Sequence, residues 1–396
     1  MEHENPLEVT SRSSNFNYAL PFELLGEILS YISDDPLDLR YALLVCRSWY
    51  NATVHHANLW VNIILGYKFL TRFLGVRLPH GDAFVRLCLS RSSPLPLHIS
   101  VHDPDCSNLY ERAEAYDALE CFFLVKYILV RNSGEPENLF QRCKYLSWFI
   151  FKGPAEVHLV SSALTCASLP ALEYMTIKNL RIAKDELHVA RFPRLPRLKE
   201  VRFIDHSEPW GHSFFHDDDF AGAERLTFTI TDKWHNNDLI CMRRFQSIRT
   251  LILQETRRSG EPPWAGLGWP VKEVELPLLE ALALSGSVWD DVLTLIEAPG
   301  LKRMWIEENT FGRHSLFTIA LKFRVRPVEY LYVWLSEDTY VTSKVKELER
   351  LVEEARSLIS VFVSPWMEQH LREKGWKHAT RNLCCFPILD RSKYFL

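Results

Sequence analysis

The side chains best equipped for chemistry in this chain sit in patterns that chemistry does not use. His206, His212 and His216 run up to Asp217, Asp218 and Asp219, all of them metal-ligating types. Metal sites need ligands at set short spacings. This run has none of those spacings, and Pro209 and Gly211 mark it as a solvated loop. Cys46 stands beside Arg47, and a neighbouring cation favours the reactive thiolate when both are exposed. Cys46 also falls in an apolar helical stripe, which predicts a buried contact residue. Gly266-Leu267-Gly268 lacks a third glycine and runs into Trp269-Pro270, so it reads as a loop. The acidic pairs Asp34-Asp35 and Asp290-Asp291 suit turns and caps. There is no Walker loop, GxSxG elbow or HExxH motif. The expectation is no catalytic residue, no metal, no cofactor, and hence not an enzyme.

Composition narrows the partners. The chain has 396 residues, with 50 acidic against 46 basic side chains and a net charge of −4. Both signs are interspersed, which argues against a nucleic-acid binder built on a basic surface. Residues 1–17 are polar, start acidic and lack an apolar core, which predicts a disordered tail and no secretory signal. The nearest approach to a membrane span, Cys121 to Val130, is too short and contains Lys126, so no membrane contact is expected. Nine cysteines without a CxxC pair suit neither a disulfide framework nor zinc. They fit small buried hydrophobes in a reducing compartment, the cytoplasm, the nucleus or both.

The elements tell more. Proline disfavours helix in the residue before it and suits a helix's first turn. Asp34-Asp35-Pro36 therefore separates one helix, from about Pro21 to Ser33, from a second capped by Asp35. On the first, Leu24, Leu25, Ile28, Leu29 and Ile32 make a broad apolar stripe. On the second, Leu37, Tyr41 and Leu44 form one stripe, and Leu39, Leu43 and Cys46 its neighbour. About forty residues cannot bury all of this alone. The surplus must face another part of the chain or another protein.

The ordered run LPxELLxEIL from Leu20, DPxDL from Asp35, LLVCxxW from Leu43 and LW at Leu59-Trp60 resembles the F-box. The resemblance covers about a tenth of the chain. It implies docking onto a Skp-type adaptor and, through it, a cullin-based ubiquitin ligase. The residues matching the family's apolar contact pattern are Leu20, Pro21, Leu24, Leu25, Ile28, Leu29, Leu43, Val45, Cys46, Trp49 and Trp60. Some must hold the module together and others face the adaptor, and sequence alone does not partition them. Leu20, Pro21, Ile28 and Trp49 are the expected adaptor contacts.

Further along, Pro94 to Val101 alternates like a strand, and Glu111 to Val130 reads as a helix. From Cys143 a unit recurs: apolar, two others, apolar, one other, apolar. Its instances start at Cys143, Leu172, Leu198, Ala223, Ile248, Leu279, Leu301 and Val328, roughly 22 to 31 residues apart. Four are introduced by proline, at Pro170, Pro196, Pro277 and Pro299. This resembles the degenerate leucine-rich repeats that follow the F-box in many such proteins, including a group in mushroom-forming fungi. The family's asparagine or cysteine after the last strand leucine is missing from all but one unit, where Asn309 fits. An irregular arc is therefore expected in place of a smooth horseshoe. The alternative is a mixed α/β domain with strands at accidental spacing.

In such a repeat the residues between the strand leucines point to the open face. The last two units would bring Arg303, Trp305, Tyr330, Tyr332 and Trp334 together, types that dominate binding hot spots. Two fates are open for this cluster: it holds an unknown protein substrate, or the C-terminal tail covers it. Ser343 to Ile359 has a helical stripe and Pro365 should break it.

The fold expected is α/β: an N-terminal three-helix F-box, then an irregular leucine-rich-repeat-like solenoid with a C-terminal helical cap. The boundaries are a tail at 1–17, the F-box at 18–65, a connecting helical segment with a possible lead-in strand at 66–142, repeats at 143–340 and the cap at 341–396. The function expected is the substrate-recognition subunit of an SCF-type ligase. The alternative is an interaction scaffold acting outside ubiquitin transfer.

Overall fold

The computed structural model describes residues 20–32, 36–65, 78–101, 140–149, 169–178, 195–206, 220, 222–230, 242, 245–255, 274–285, 296–308, 328–335, 346, 348, 360–363, 369 and 373. The expected tail, the helix at Glu111 to Val130, the run from His212 to Asp219 and the Gly266/Gly268 pair lie outside them.

Three helices open the chain: α1 at Phe22–Ile32, α2 at Pro36–Val45 and α3 at Arg47–His55, followed by a 3-10 turn at Ala57–Trp60. Pro36 begins α2, where its fixed φ and missing N–H cost nothing. Cys46 is extended and lets the chain turn into α3. The apolar stripes split. Leu25 and Leu29 of α1, with Leu39 and Ala42 of α2, are buried. Ala52, Thr53, Leu59 and Trp60 complete that core. Fully burying each leucine stabilises the module by about 1.5–3 kcal/mol. The Trp60 indole N–H donates to the Thr53 carbonyl at 2.7 Å, so the buried ring leaves no polar atom unmet.

A further helix, α4 at Leu78–Ser92, lies within the stretch expected to be a connecting helical segment, although no helix was placed at these residues. It packs on the 3-10 turn, and its Arg91 guanidinium sits 4.6 Å over the Trp60 ring. Arg142 caps its C-terminal end. That guanidinium donates to the carbonyls of Leu89 and Leu95 and to the Ser92 hydroxyl, which ties helix to sheet.

The rest of the described chain is mainly one parallel sheet. Its strands are β1 at Asn62–Leu65, β2 at Leu97–Val101, β3 at Cys143–Phe149, β4 at Tyr174–Lys178, β5 at Glu200–His206, β6 at Arg225–Ile230 and β7 at Thr250–Glu255. After the two-residue strand β8 at Val274–Glu275 come β9 at Ala281–Ser285, β10 at Ile296–Glu297, β11 at Arg303–Glu308, β12 at Tyr330–Leu335 and β13 at Ser360–Val363. Eleven pair in chain order, and β8 pairs separately with β10.

Register follows the recurring unit. The first strand apolar residues stand side by side from Ile63 through Ile99, Leu146 and Met175 to Leu331 and Val361, all buried. A second row includes Ile177, Phe203, Phe228, Leu253, Leu284 and Val333, also buried. Phe203 and Phe228 stack at 5.1 Å. A one-residue slip would turn both rows outward, so the register is strongly specified. A tight turn precedes β3 to β7, β9 and β11, as in Leu169 to Leu172 and Leu195 to Leu198, with both ends buried. Proline at its second position is preset for that geometry.

One column went unnoticed in the sequence. The residue just before each strand's first outward position alternates in sign: Lys144, Glu173, Lys199, Glu224, Arg249, Glu280, Lys302 and Glu329. Each amide from Glu173 onward donates to the carbonyl of its predecessor at 2.8–3.0 Å. Glu173 lies 3.7 Å from Lys144 and 2.9 Å from Lys199, and Arg249 lies 2.5 Å from Glu280. Opposite charges side by side favour the pairing, while like charges oppose it.

Two expectations change. The sheet begins at β1 and β2, before residue 143, because Ile63 and Ile99 supply the buried row early. The stretch expected to form a helical cap adds β13 to the far edge. Val361-Phe362-Val363 is β-branched and aromatic with period two, which suits a strand better than a helix. Lys346, Leu348, Gln369 and Glu373 are helical, and most of that stretch lies outside the described residues.

Candidate docking surfaces

The helical module carries an apolar face that its own fold does not cover. Leu24, Ile28 and Tyr31 fall at helical spacing on α1 as one stripe, and Leu20 stands just before the helix. Leu24 is 46% exposed and Tyr31 80%. Leu20, Pro21 and Ile28 are exposed beside them. From α2 come Tyr41, Leu44 and Val45, all exposed, with Leu44 at 75%. Contiguous exposed apolar groups of this kind mark interaction sites.

The expected contact residues thus fall into two groups. Leu25, Leu29 and Trp60 are buried and hold the module together. Leu20, Pro21, Leu24, Ile28 and Val45 face outward. Leu43, Cys46 and Trp49 are half-buried between the groups. Sequence reading missed the outward role of Tyr31, Tyr41 and Leu44. The signal was there: residues one helical step from a buried stripe, aromatic or leucine, on a module too short to cover them.

Gly26 is buried in α1 with no room for a side chain. Its neighbour is the His56 ring, which stacks on Phe22 at 4.6 Å and whose Nε2 lies 3.1 Å from the Phe22 carbonyl. A methyl at Gly26 would collide with that ring.

Residues 18–65 match the family described as F-box-like. The chain carries an F-box-like module. The match spans α1, α2, α3, the 3-10 turn and β1, so it covers the buried core and the exposed face alike. No curated protein matches the chain.

Beyond the F-box-like module, the second surface is the outward face of the sheet. At its C-terminal end Arg303 pairs in register with Tyr330, Trp305 with Tyr332, and Glu307 with Trp334. The Trp305 and Tyr332 rings stack at 5.4 Å, and Tyr332 stacks on Phe362 at 4.5 Å. The expected cluster is brought together, with Arg303 exposed and the aromatic members half-buried. Phe362 comes from the C-terminal stretch and stacks against one edge of the cluster.

At the opposite end Tyr145 and Tyr174 stack at 4.5 Å, and the His98 ring lies tilted against Tyr145 at 4.1 Å, so three strands contribute. Burial and the Lys144 charge lower the His98 pKa, so this ring is held neutral. Beside Tyr174 on the same row lies Glu200, only 5% exposed. Its carboxylate accepts from Arg202 Nε at 2.5 Å and lies 3.6 Å from Arg225 Nη1.

Among the described residues no three His, Cys, Asp or Glu side chains gather as a metal site. No helix among them is long and apolar enough to cross a membrane.

Proposed function

We propose that this chain is the substrate-recognition subunit of an SCF-type ubiquitin ligase. The observation that carries the reading is the coincidence of the F-box-like match with an exposed apolar face built from α1 and α2. A Skp-type adaptor covers that face and links the chain to a cullin. An apolar helical face laid against a partner groove is a common recognition mode. The mechanism is proximity: the chain holds a protein substrate near the transfer machinery and does no chemistry itself.

We read the sheet as a leucine-rich-repeat-like solenoid. Strands pairing in chain order, a buried apolar turn before β3 to β7, β9 and β11, and two buried rows support this. Its outward face holds the substrate, and the Arg303, Trp305, Tyr330, Tyr332 and Trp334 cluster contributes to it. The chain works in the cytoplasm or nucleus, where such ligases operate.

The test is co-precipitation of a Skp-type adaptor and cullin with the full chain. Ile28→Ala with Pro21→Ala should lose most adaptor while circular dichroism stays unchanged. Full adaptor binding by that variant would sink the reading. Adaptor retained without cullin would favour a scaffold outside ubiquitin transfer.

A further inference from the structure

The N-terminal half of the sheet face carries a second recognition feature. Glu200 is a buried carboxylate on the outward face of the sheet, where Thr227, Ile252 and Thr229 are buried too, and it holds two guanidiniums. Arg202 engages it through Nε, leaving both Nη groups without a protein partner among the described residues. Arg225, on the next strand, has a side chain 41% exposed. A single carboxylate thus orients two arginines and neutralises only one of them. Arginine forks set in this way match the oxygens of phosphate or carboxylate groups.

The surroundings extend the match. Tyr145 and Tyr174 stack at 4.5 Å to form a flat shelf next to Glu200, with Lys144 within 6 Å of both ring centres. Lys144, Lys199, Arg202 and Arg225 outnumber Glu173, Glu200 and Glu224 here, four to three, although the whole chain is net negative. The local charge complements an anion.

We propose that this face binds an extended acidic segment of a protein partner. Arg202 and Arg225 take one oxyanion side chain, phosphorylated or carboxylate, and the Tyr145–Tyr174 shelf takes the residues beside it. The proposal rests on the reading of the sheet as the substrate-holding surface and names the chemistry it selects.

The full chain would be passed over arrays of degenerate peptides with phosphoserine, glutamate or serine fixed at the centre. Retention on phosphoserine should exceed that on serine by about tenfold if phosphate is the source. Equal retention on glutamate assigns the site to carboxylates. Arg225→Gln should reduce either preference several-fold. Glu200→Gln with Arg202→Gln removes the pair as a unit, avoiding a lone buried charge, and should abolish it. Equal retention of all three peptide sets overturns the proposal, as does a preference that survives both variants or a single-stranded oligonucleotide displacing every peptide. Adaptor co-precipitation from the same preparations reports the F-box reading separately. Adaptor binding without peptide preference removes only this inference.

Discussion

Gly26 shows how one position can serve a whole module. A glycine inside a helix costs about 1 kcal/mol relative to alanine. Here alanine would drive the His56 ring off Phe22, so the usual helix gain is not available. Gly26→Ala should lower the thermal midpoint, and Gly26→Ala with His56→Ala should recover part of the loss. Trp60 is the second such position. Removing its ring also strands the Thr53 carbonyl and the Arg91 cation. Trp60→Ala should cost about 3–5 kcal/mol in chemical denaturation. Thiols offer a third measurement. Burial pushes the Cys88 thiol up to about 12 and the Cys143 thiol up as well. Both should stay unlabelled by a maleimide in the native chain and react once it unfolds. Peptide mapping checks this.

Among elements, the strands were legible because burial enforces their pattern. All eight units from Cys143 to Val333 contain the strands expected of them, and the Pro94–Val101 strand is β2. The boundary between α1 and α2 was legible for a similar reason, since proline constrains its neighbours whatever lies around it. The partition of Leu24 from Leu25 was not, because both lie within one apolar stripe and only tertiary packing separates them. β13 was missed because a charged helical pattern precedes it and hides its short alternation.

The alternating charges were also readable and went unread, hidden between the apolar residues that define each unit. They have consequences at this scale. Glu280→Lys would place three cations in a row, at 249, 280 and 302. Each exposed pair contributes about 0.2–1 kcal/mol, so the loss should be about 1 kcal/mol and shrink in 1 M salt. Protonation should act similarly at Glu173. The hydrogen bond from Lys199 lowers the Glu173 pKa, and the Lys199 pKa is raised in return. A lowered carboxyl pKa means stability present above the ordinary carboxylate value and lost as pH falls through the folded value. Lys199→Gln should therefore destabilise the chain at neutral pH. The difference from the parent should vanish in acid, as read from denaturation midpoints across pH.

The whole molecule has two unlike surfaces. The helical end offers uncharged apolar side chains, which suit a permanent, salt-insensitive attachment. The sheet end offers oriented charges and stacked rings, which suit selection. Adaptor binding should accordingly change little between 0.1 and 0.5 M salt, whereas binding at Arg202 and Arg225 should weaken over that range. Titration of both partners at two ionic strengths would check the contrast.

The row of charges from Lys144 to Glu329 also limits how such a chain can be inherited. Losing the single unit that begins at Ala223 would set Lys199 against Arg249. Losing that unit and the next would set Lys199 against Glu280 and leave the alternation whole. Copying errors that change the length of the sheet should therefore cost less when they come in pairs of units.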